Sequence, residues 1–290
     1  EKTVIEIISH IQSNGDDALL ELTNRLDRRS CSDITQICVG QEEMSRALAS
    51  LDHETRQALE KSAQRIEDYH QHQLQDSWQY KEPDGTMLGQ QITPMQRVGI
   101  YVPGGKASYP SSVLMNAIPA IVAGVKRIVM INPGFKGKQN PAVLYAARKC
   151  KIKEIYSIGG PSAIAAVAYG TKKIKKVNKI VGPGNAYVAA AKKEVFGDVG
   201  IEGMTAGPSE VTIVCDKFSN PEWVASDLIG QAEHDNLAQC ILISKDKSLI
   251  DKVKNEIIKQ LKEIPRSSIA RKSLISNGIL IHINSDKNII

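Results

Sequence analysis

A glutamine and a histidine lie three residues apart in Gln231-Ala-Glu-His-Asp235, where an apolar helical pattern ends. Residues at this spacing share one helix face, so the Gln231 amide oxygen and a His234 ring nitrogen could hold a divalent metal ion. A tetrahedral zinc site needs four ligands, so two more would have to come from elsewhere. The spacing alone favours a simpler interpretation, a solvated helix end whose histidine interacts with the helix dipole.

A serine precedes a predicted strand in the small-residue loop Ala206-Gly-Pro-Ser-Glu210. The Ser209 hydroxyl could bind a substrate, or the residue could simply complete a structural turn. Ser209 is not the nucleophile of a hydrolase elbow, because the Gly-x-Ser-x-Gly pattern and a helix directly after the serine are both missing.

Four glycine turns follow predicted strands between Arg97 and Phe196, and each turn is predicted to open a helix. These turns are Tyr101–Gly105, Asn132–Gly134, Gly159–Pro161 and Gly182–Asn185. Backbone N–H groups at a helix start, together with the helix dipole, attract anions such as phosphate. One such turn is typical of any βα connection, and no strict Gly-x-Gly-x-x-Gly motif is present. Four turns on one sheet edge nevertheless predict at least one contact with a nucleotide.

An α/β fold must position these residues. Residues 1–72 carry an apolar helical period with a break at Asn14-Gly15, and residues 78–97 predict a short hairpin. From Arg97 onward strands and helices alternate, which requires crossover connections and a parallel sheet. The alternation resumes after the loop 203–208, in a second set that could form a separate sheet joined with the N-terminal helices. The pattern predicts two Rossmann-like domains with parallel sheets flanked by helices, and an N-terminal helical segment.

The composition argues against nucleic-acid and membrane partners. Of the 290 residues, 42% are hydrophobic, 24% are charged and only 4% are aromatic, with a formal net charge of +5. Stacking platforms for nucleic acid are therefore scarce, and the modest positive charge favours small anionic ligands. No apolar run reaches the roughly 18 residues that a membrane helix needs. The five cysteines show neither a disulfide framework nor a cysteine zinc spacing, which predicts a cytoplasmic location.

Five motifs occur in a fixed order along the chain: Arg97-Val-Gly-Ile-Tyr-Val-Pro-Gly-Gly105, Pro110-Ser-Ser-Val-Leu-Met115, Lys179-Ile-Val-Gly-Pro-Gly-Asn185, Ala206-Gly-Pro-Ser-Glu210 and Gln231-Ala-Glu-His234. In order and spacing they closely resemble histidinol dehydrogenase, and the resemblance runs from about Val4 to Ile290. It implies a zinc-containing, NAD-dependent homodimer that oxidises L-histidinol to L-histidine through L-histidinal, reducing two NAD molecules in the last steps of histidine biosynthesis. For the domains, it implies that residues 1–100 join 209–290 and that 101–208 form an inserted domain.

The resemblance also implies roles for single residues. Tyr101 and Asn185 match positions that contact NAD, and Ser162 occupies a third such position, where the family often carries a longer glutamine. Ser209, Gln231 and His234 match substrate-contacting positions. Gln231 and His234 match zinc ligands as well, so the resemblance favours the metal interpretation over the solvated helix end.

Part of the family's active site has no counterpart in this sequence. The family supplies two further zinc ligands, an Asp and a partner-subunit His, and a Glu–His acid–base pair, from positions beyond Ile290. The chain starts at Glu1 inside a helical pattern and stops shortly after the apolar run Ile279–Ile283, so both ends are expected to be cut. The family's small C-terminal domains are missing too, and His282 matches none of the absent residues. The 290-residue polypeptide is therefore predicted to be inactive alone and to bind zinc weakly.

Two alternatives remain open at this stage. One is a related zinc- and NAD-dependent dehydrogenase with another alcohol as substrate, which a substrate panel on the full-length protein would distinguish. The other is a non-catalytic remnant, which stop codons after Ile290 in the genomic DNA would support. The enzyme hypothesis requires that the sheet edge carrying Asn185 and the helix end carrying His234 face a common cleft.

Overall fold

The computed structural model describes residues 1–104, 108–134, 137–202 and 209–285. Contacts between residues divide the chain into two compact units, Glu1–Ala206 (unit 1) and Gly207–Ile290 (unit 2). Gly105 of the first glycine turn and the loop 203–208 lie outside the described residues.

Unit 1 begins with helices, as the apolar period predicts. Helix α1 spans Lys2–Leu26, a 3₁₀ turn spans Ile34–Ile37, α2 spans Gln41–Ser50 and α3 spans His53–Gln71. The predicted break at Asn14-Gly15 is confirmed as a kink, because Gly15 adopts φ 53° and ψ −121° inside α1. The predicted hairpin is confirmed as the antiparallel strands β1, Trp78–Lys81, and β2, Met87–Gln90.

Alternating strands and helices build the rest of unit 1. They are β3 Arg97–Tyr101, α4 Pro110–Val122, β4 Arg127–Ile131, α5 Pro141–Lys149, β5 Glu154–Tyr156, α6 Gly160–Tyr169, β6 Lys179–Val181, α7 Ala186–Glu194 and β7 Gly200–Ile201. The strands form one sheet in the order β5-β4-β3-β6-β7, and every pairing is parallel. The chain order reverses between β3 and β6, so a ligand crevice is expected beyond the carboxyl ends of these two strands.

Helices cover both faces of this sheet, which explains the continuous apolar character of its strands. Successive residues of β4 point to opposite faces: Val129 and Ile131 join the core beneath α1, α6 and α7, whereas Met130 joins the core beneath α2–α5. The N-terminal helices thus pack within unit 1. The domain assignment that joins residues 1–100 with 209–290 stays a prediction.

Unit 2 contains a second parallel sheet. Its elements are β8 Glu210–Cys215, α8 Pro221–Ala232, β9 Gln239–Ser244, α9 Lys247–Gln260, α10 Ser267–Asn277 and β10 Gly278–His282. The strand order is β10-β9-β8, again with parallel pairing. The sequence pattern missed α10 because its buried positions, Ala270 and Ser273, are small. The predicted α/β class with parallel sheets is confirmed. Among the described residues, no helix combines the length and apolar content that a membrane crossing requires.

Candidate cofactor and metal sites

The four glycine turns all lie at the carboxyl edge of the five-stranded sheet, but only two open a helix directly. Gly159-Gly160 leads into α6 and Gly182–Asn185 leads into α7. The other two turns do not open a helix directly, contrary to the expectation, because α4 and α5 begin at Pro110 and Pro141, several residues later. A proline at the first helical turn needs no N–H partner, so these helices start where proline permits.

Side chains of the protein itself fix the second turn. The buried Asn132 amide donates to the carbonyl oxygens of Val102 (2.8 Å) and Pro103 (3.1 Å). Gln139 Nε2 in turn donates to the Asn132 carbonyl at 2.9 Å. The donor atoms of these two buried amides are satisfied in this way and hold adjacent strand ends together. The turn after β4 is therefore a structural network rather than an open phosphate cradle.

Tyr101 and Asp27 occupy the start of α6. The Tyr101 hydroxyl accepts a hydrogen bond from the Gly160 N–H at 3.2 Å, and the Tyr101 side chain is only 4% exposed. Burial raises the pKa of Tyr101 to about 12, so its hydroxyl stays protonated and can still donate to a ligand. Asp27 accepts a hydrogen bond from the Gly159 backbone. A carboxylate at a helix start takes the place that an external anion would otherwise fill.

The sequence analysis did not single out Asp27. The residue follows the last turn of α1, where it reads as an ordinary helix end, and only the fold brings it to a strand end 132 positions further along the chain. A polar residue directly after an amphipathic helix that packs on the sheet is the sequence signal that could have marked it.

Asp27 gives a pH-dependent prediction. Burial is the main cause of its raised pKa, so the native state binds this proton more tightly than the unfolded chain. The contribution of Asp27 to stability is therefore fully present below the usual pKa of 3.8 and is lost as the pH rises through the raised value. Asp27→Asn is expected to be more stable than the wild type at pH 7, with the difference shrinking towards pH 4. Urea unfolding at both pH values measures this, and a variant that is less stable at pH 7 would contradict it.

Ser162 is buried in the first turn of α6. Its hydroxyl donates to the Gly159 carbonyl at 3.0 Å, and the residue is 2% exposed. The hydroxyl proton is therefore engaged inside the protein, and its role as an NAD contact stays a prediction.

Asn185 stands at the most open of the four turns. It is exposed, and its Oδ1 accepts from the N–H groups of Tyr187 (3.1 Å) and Val188 (3.0 Å), so it is the N-cap of α7. An anion bound here would either displace this cap oxygen or use the N–H groups that precede it. The turn follows β6, one of the two strands that flank the order reversal, which makes it the best candidate for a dinucleotide contact.

Gly182 allows this turn to approach β3. Its φ is +101°, and a Cβ atom at this position would lie 2.2 Å from the Tyr101 carbonyl oxygen. No other residue type fits such a close approach at a positive φ. The ends of β3 and β6 are thus brought together by a glycine at the point where the strand order reverses.

In unit 2, Ser209, Gln231 and His234 lie at the amino edge of the three-stranded sheet. The Gln239 N–H donates to the Ser209 carbonyl at 3.1 Å, which fixes Ser209 beside the start of β9. Helix α8 runs back between the parallel strands β8 and β9, so its last residues reach the same edge. The three residues that were predicted to bind substrate therefore lie at the same edge of the sheet, and their role in binding stays a prediction.

Gln231 and His234 fit two positions of a metal site. The Gln231 Nε2 atom is buried and makes no hydrogen bond within the described residues. A half-turn of the amide group exchanges its nitrogen and oxygen, so the same position can present the oxygen to a cation. His234 follows the end of α8 and is exposed. Within the described ranges, no group of three or more His, Cys, Asp or Glu residues could hold a metal ion.

Among the described residues, one cavity in each unit is lined by residues other than those predicted to bind cofactor, substrate or metal. A cavity of about 920 Å³ sits at the carboxyl edge of the unit 2 sheet, lined by residues that include Asp216, Lys245 and His282. Ser209, Gln231 and His234 lie at the opposite edge, separated from it by the length of β8. A cavity of about 640 Å³ in unit 1 borders α4, Val98 of β3 and both ends of β6, Lys179 and Val181, so it reaches the strand end that precedes Gly182. Cavity size alone does not define a binding site, because a site also needs polar groups placed to contact the ligand.

The parallel sheet, its order reversal and its glycine turn define an α/β protein whose ligands are expected at the carboxyl edge of the sheet. The family model for histidinol dehydrogenase matches residues 1–290, and the chain belongs to this family. Histidinol dehydrogenase of Pelagibacter ubique is 65% identical over 288 residues, 99% of this chain and 66% of the relative. The enzyme of Nitrosomonas europaea is 53% identical over 98% of this chain and 65% of the relative.

A solved structure agrees with the family membership. The crystal structure of histidinol dehydrogenase from Elizabethkingia anophelis matches with a TM-score of 0.91 and 37% identity, covering 99% of this chain and 66% of that one. The chain thus spans slightly less than two thirds of the length of the relatives it matches.

Proposed function

We propose that this chain is the cofactor-binding and substrate-binding part of an NAD-dependent zinc enzyme that oxidises L-histidinol to L-histidine through L-histidinal. The observation that carries the proposal is the convergence of Ser209, Gln231 and His234 at one sheet edge. The family membership of the whole chain supports the substrate, since the relatives are histidinol dehydrogenases.

Gln231 and His234 would hold the zinc ion. As a Lewis acid, the bound ion would coordinate the substrate amine and imidazole and so orient the substrate. Ser209 would add a hydrogen bond to the substrate from the same edge. Asn185, at the open turn, and Tyr101, with its protonated hydroxyl, would orient the nicotinamide cofactor. Each of the two oxidations would transfer a hydride from the substrate carbon to NAD and a proton to a base, and water would add to the aldehyde before the second oxidation to supply the second carboxylate oxygen.

The proposal extends to the assembly and location of the whole protein. We infer a homodimer, because the family's zinc site takes a histidine from the partner subunit and the described residues offer only part of a ligand set. We also infer a cytoplasmic location, which the five free cysteines support. The common cleft for Asn185 and His234 remains part of this proposal.

The test is NADH formation by the protein extended to the length of its relatives. L-Histidinol with NAD should give L-histidine and two NADH per substrate, and related amino alcohols should react far more slowly. A faster reaction with another alcohol, or no reduction of NAD, would contradict the substrate assignment.

The 290-residue chain makes a separate prediction. Its helix end offers two zinc ligands, whereas a tetrahedral site has four. The chain is therefore expected to bind zinc only weakly and not to turn over histidinol. Competition with a chromophoric chelator measures the affinity. Steady production of NADH by this polypeptide would show that the expected acid–base residues are not needed.

A further inference from the structure

A buried lysine lies directly behind the Gly182 turn. Lys192 of α7 is 1% exposed. Its Nζ donates to the carbonyl oxygen of Gly182 and, at 3.2 Å, to that of Glu202. Gly182 follows β6, and Glu202 follows β7, so one ammonium group joins the carboxyl ends of two neighbouring strands. The neighbouring Lys193 has a 71% exposed side chain and points outward.

Burying an ammonium group is unfavourable unless its protons are bound. Burial lowers the pKa of Lys192 to about 8, which shows that desolvation is substantial. The nearby Glu202 carboxylate is paired with Lys179 at 2.6 Å. An apolar side chain of similar length would fill the space with a smaller desolvation penalty, so a lysine here indicates a need for its directed hydrogen bonds.

These hydrogen bonds fix the direction of the turn. Lys192 holds the Gly182 carbonyl towards the protein interior. The chain then runs outward to Asn185, the exposed N-cap of α7. Asn185 and Lys192 are seven positions apart, two helical turns, so the cap and the lysine share one side of α7. Glu202, whose carbonyl oxygen is the second acceptor of Lys192, is the last described residue before the loop 203–208 that precedes Ser209.

We propose that Lys192 is a positioning residue for the cofactor. By joining the ends of β6 and β7, Lys192 sets the conformation of the Gly182–Asn185 turn. The inference rests on the proposed function in one respect, namely that the turn binds NAD. Lys192 itself touches neither cofactor nor substrate.

The test compares Lys192→Met with Lys193→Met in the complete 290-residue chain. Hydrogen–deuterium exchange of the peptide that carries residues 182–188 should become about tenfold faster in K192M, while exchange in β4 stays unchanged. Calorimetric titration should show NAD binding weakened about tenfold or more in K192M, as loss of charged hydrogen bonds predicts. K193M should match the wild type in both measurements.

The outcomes separate the two proposals. Unchanged exchange at residues 182–188 in folded K192M would overturn the positioning role, and so would NAD affinity within twofold of the wild type. If the wild type fails to bind NAD while K192M still shows faster exchange at the turn, the cofactor assignment fails and the structural part of the positioning role stands. If K192M does not fold, as judged by circular dichroism, Lys192→Gln carries the same thresholds, because its side chain stays polar but is uncharged and one atom shorter, so it cannot replace both charged hydrogen bonds.

Discussion

Gly182→Ala is expected to lower the free energy of unfolding by about 3 kcal/mol and to weaken NAD binding at least tenfold. The added Cβ would lie 2.2 Å from the Tyr101 carbonyl oxygen, so the ends of β3 and β6 would have to separate. The loss of unfolding free energy has two causes, the steric overlap of the added Cβ atom and the strain of an alanine at a φ of +101°. Urea unfolding and calorimetric titration with NAD measure the two effects.

Gly197 provides a matched control for this prediction. Its φ of +100° is nearly the same, but a Cβ atom there would meet nothing within 4 Å. Gly197→Ala should therefore lower the free energy of unfolding only by the strain of an alanine at a positive φ, about 1–2 kcal/mol. It should leave NAD affinity unchanged. If Gly182→Ala and Gly197→Ala lowered the free energy of unfolding equally, the close approach of Gly182 to Tyr101 would contribute nothing to the effect.

His234→Ala is expected to abolish measurable zinc binding by the 290-residue chain and to reduce histidinol oxidation by the full-length protein at least about a hundredfold. Even residues that only support metal ligands typically change affinity or activity by about 10–100-fold, so loss of a ligand should exceed this. Gln231→Ala should act in the same direction, since its buried Nε2 atom has no hydrogen-bond partner among the described residues. Chelator competition and NADH formation measure these effects.

His282→Ala is the control within the same unit. His282 ends β10 at the carboxyl edge of the sheet, where its ring nitrogen lies 3.1 Å from the Lys245 carbonyl oxygen. The substitution should leave zinc affinity and turnover within about twofold, because the ligands proposed here lie at the amino edge. A loss of zinc binding in H282A equal to that in H234A would refute the location of the metal site.

Local patterns were sufficient for most elements. The apolar period of Val4, Ile7, Ile8 and Ile11 predicts the inward face of α1, and all four are buried. The strand β4 was predicted within its observed bounds, Arg127–Ile131, because five apolar or long residues between turn signals fit a strand covered on both faces. Helix α10 was missed for the opposite reason, since small and polar residues leave little periodic signal.

The sequence by itself determined the fold class, the glycine turns at strand ends and the residues that match the histidinol dehydrogenase family. Only the tertiary structure decided which turn is open. Asn132, Tyr101 and Asp27 fill the turns after β4 and β5 with groups of the protein itself, and Lys192 supports the turn after β6 from inside. The physical reason is distance along the chain. A glycine turn is a local property, whereas the carboxylate or ammonium group that occupies or supports it is brought there by packing between remote segments.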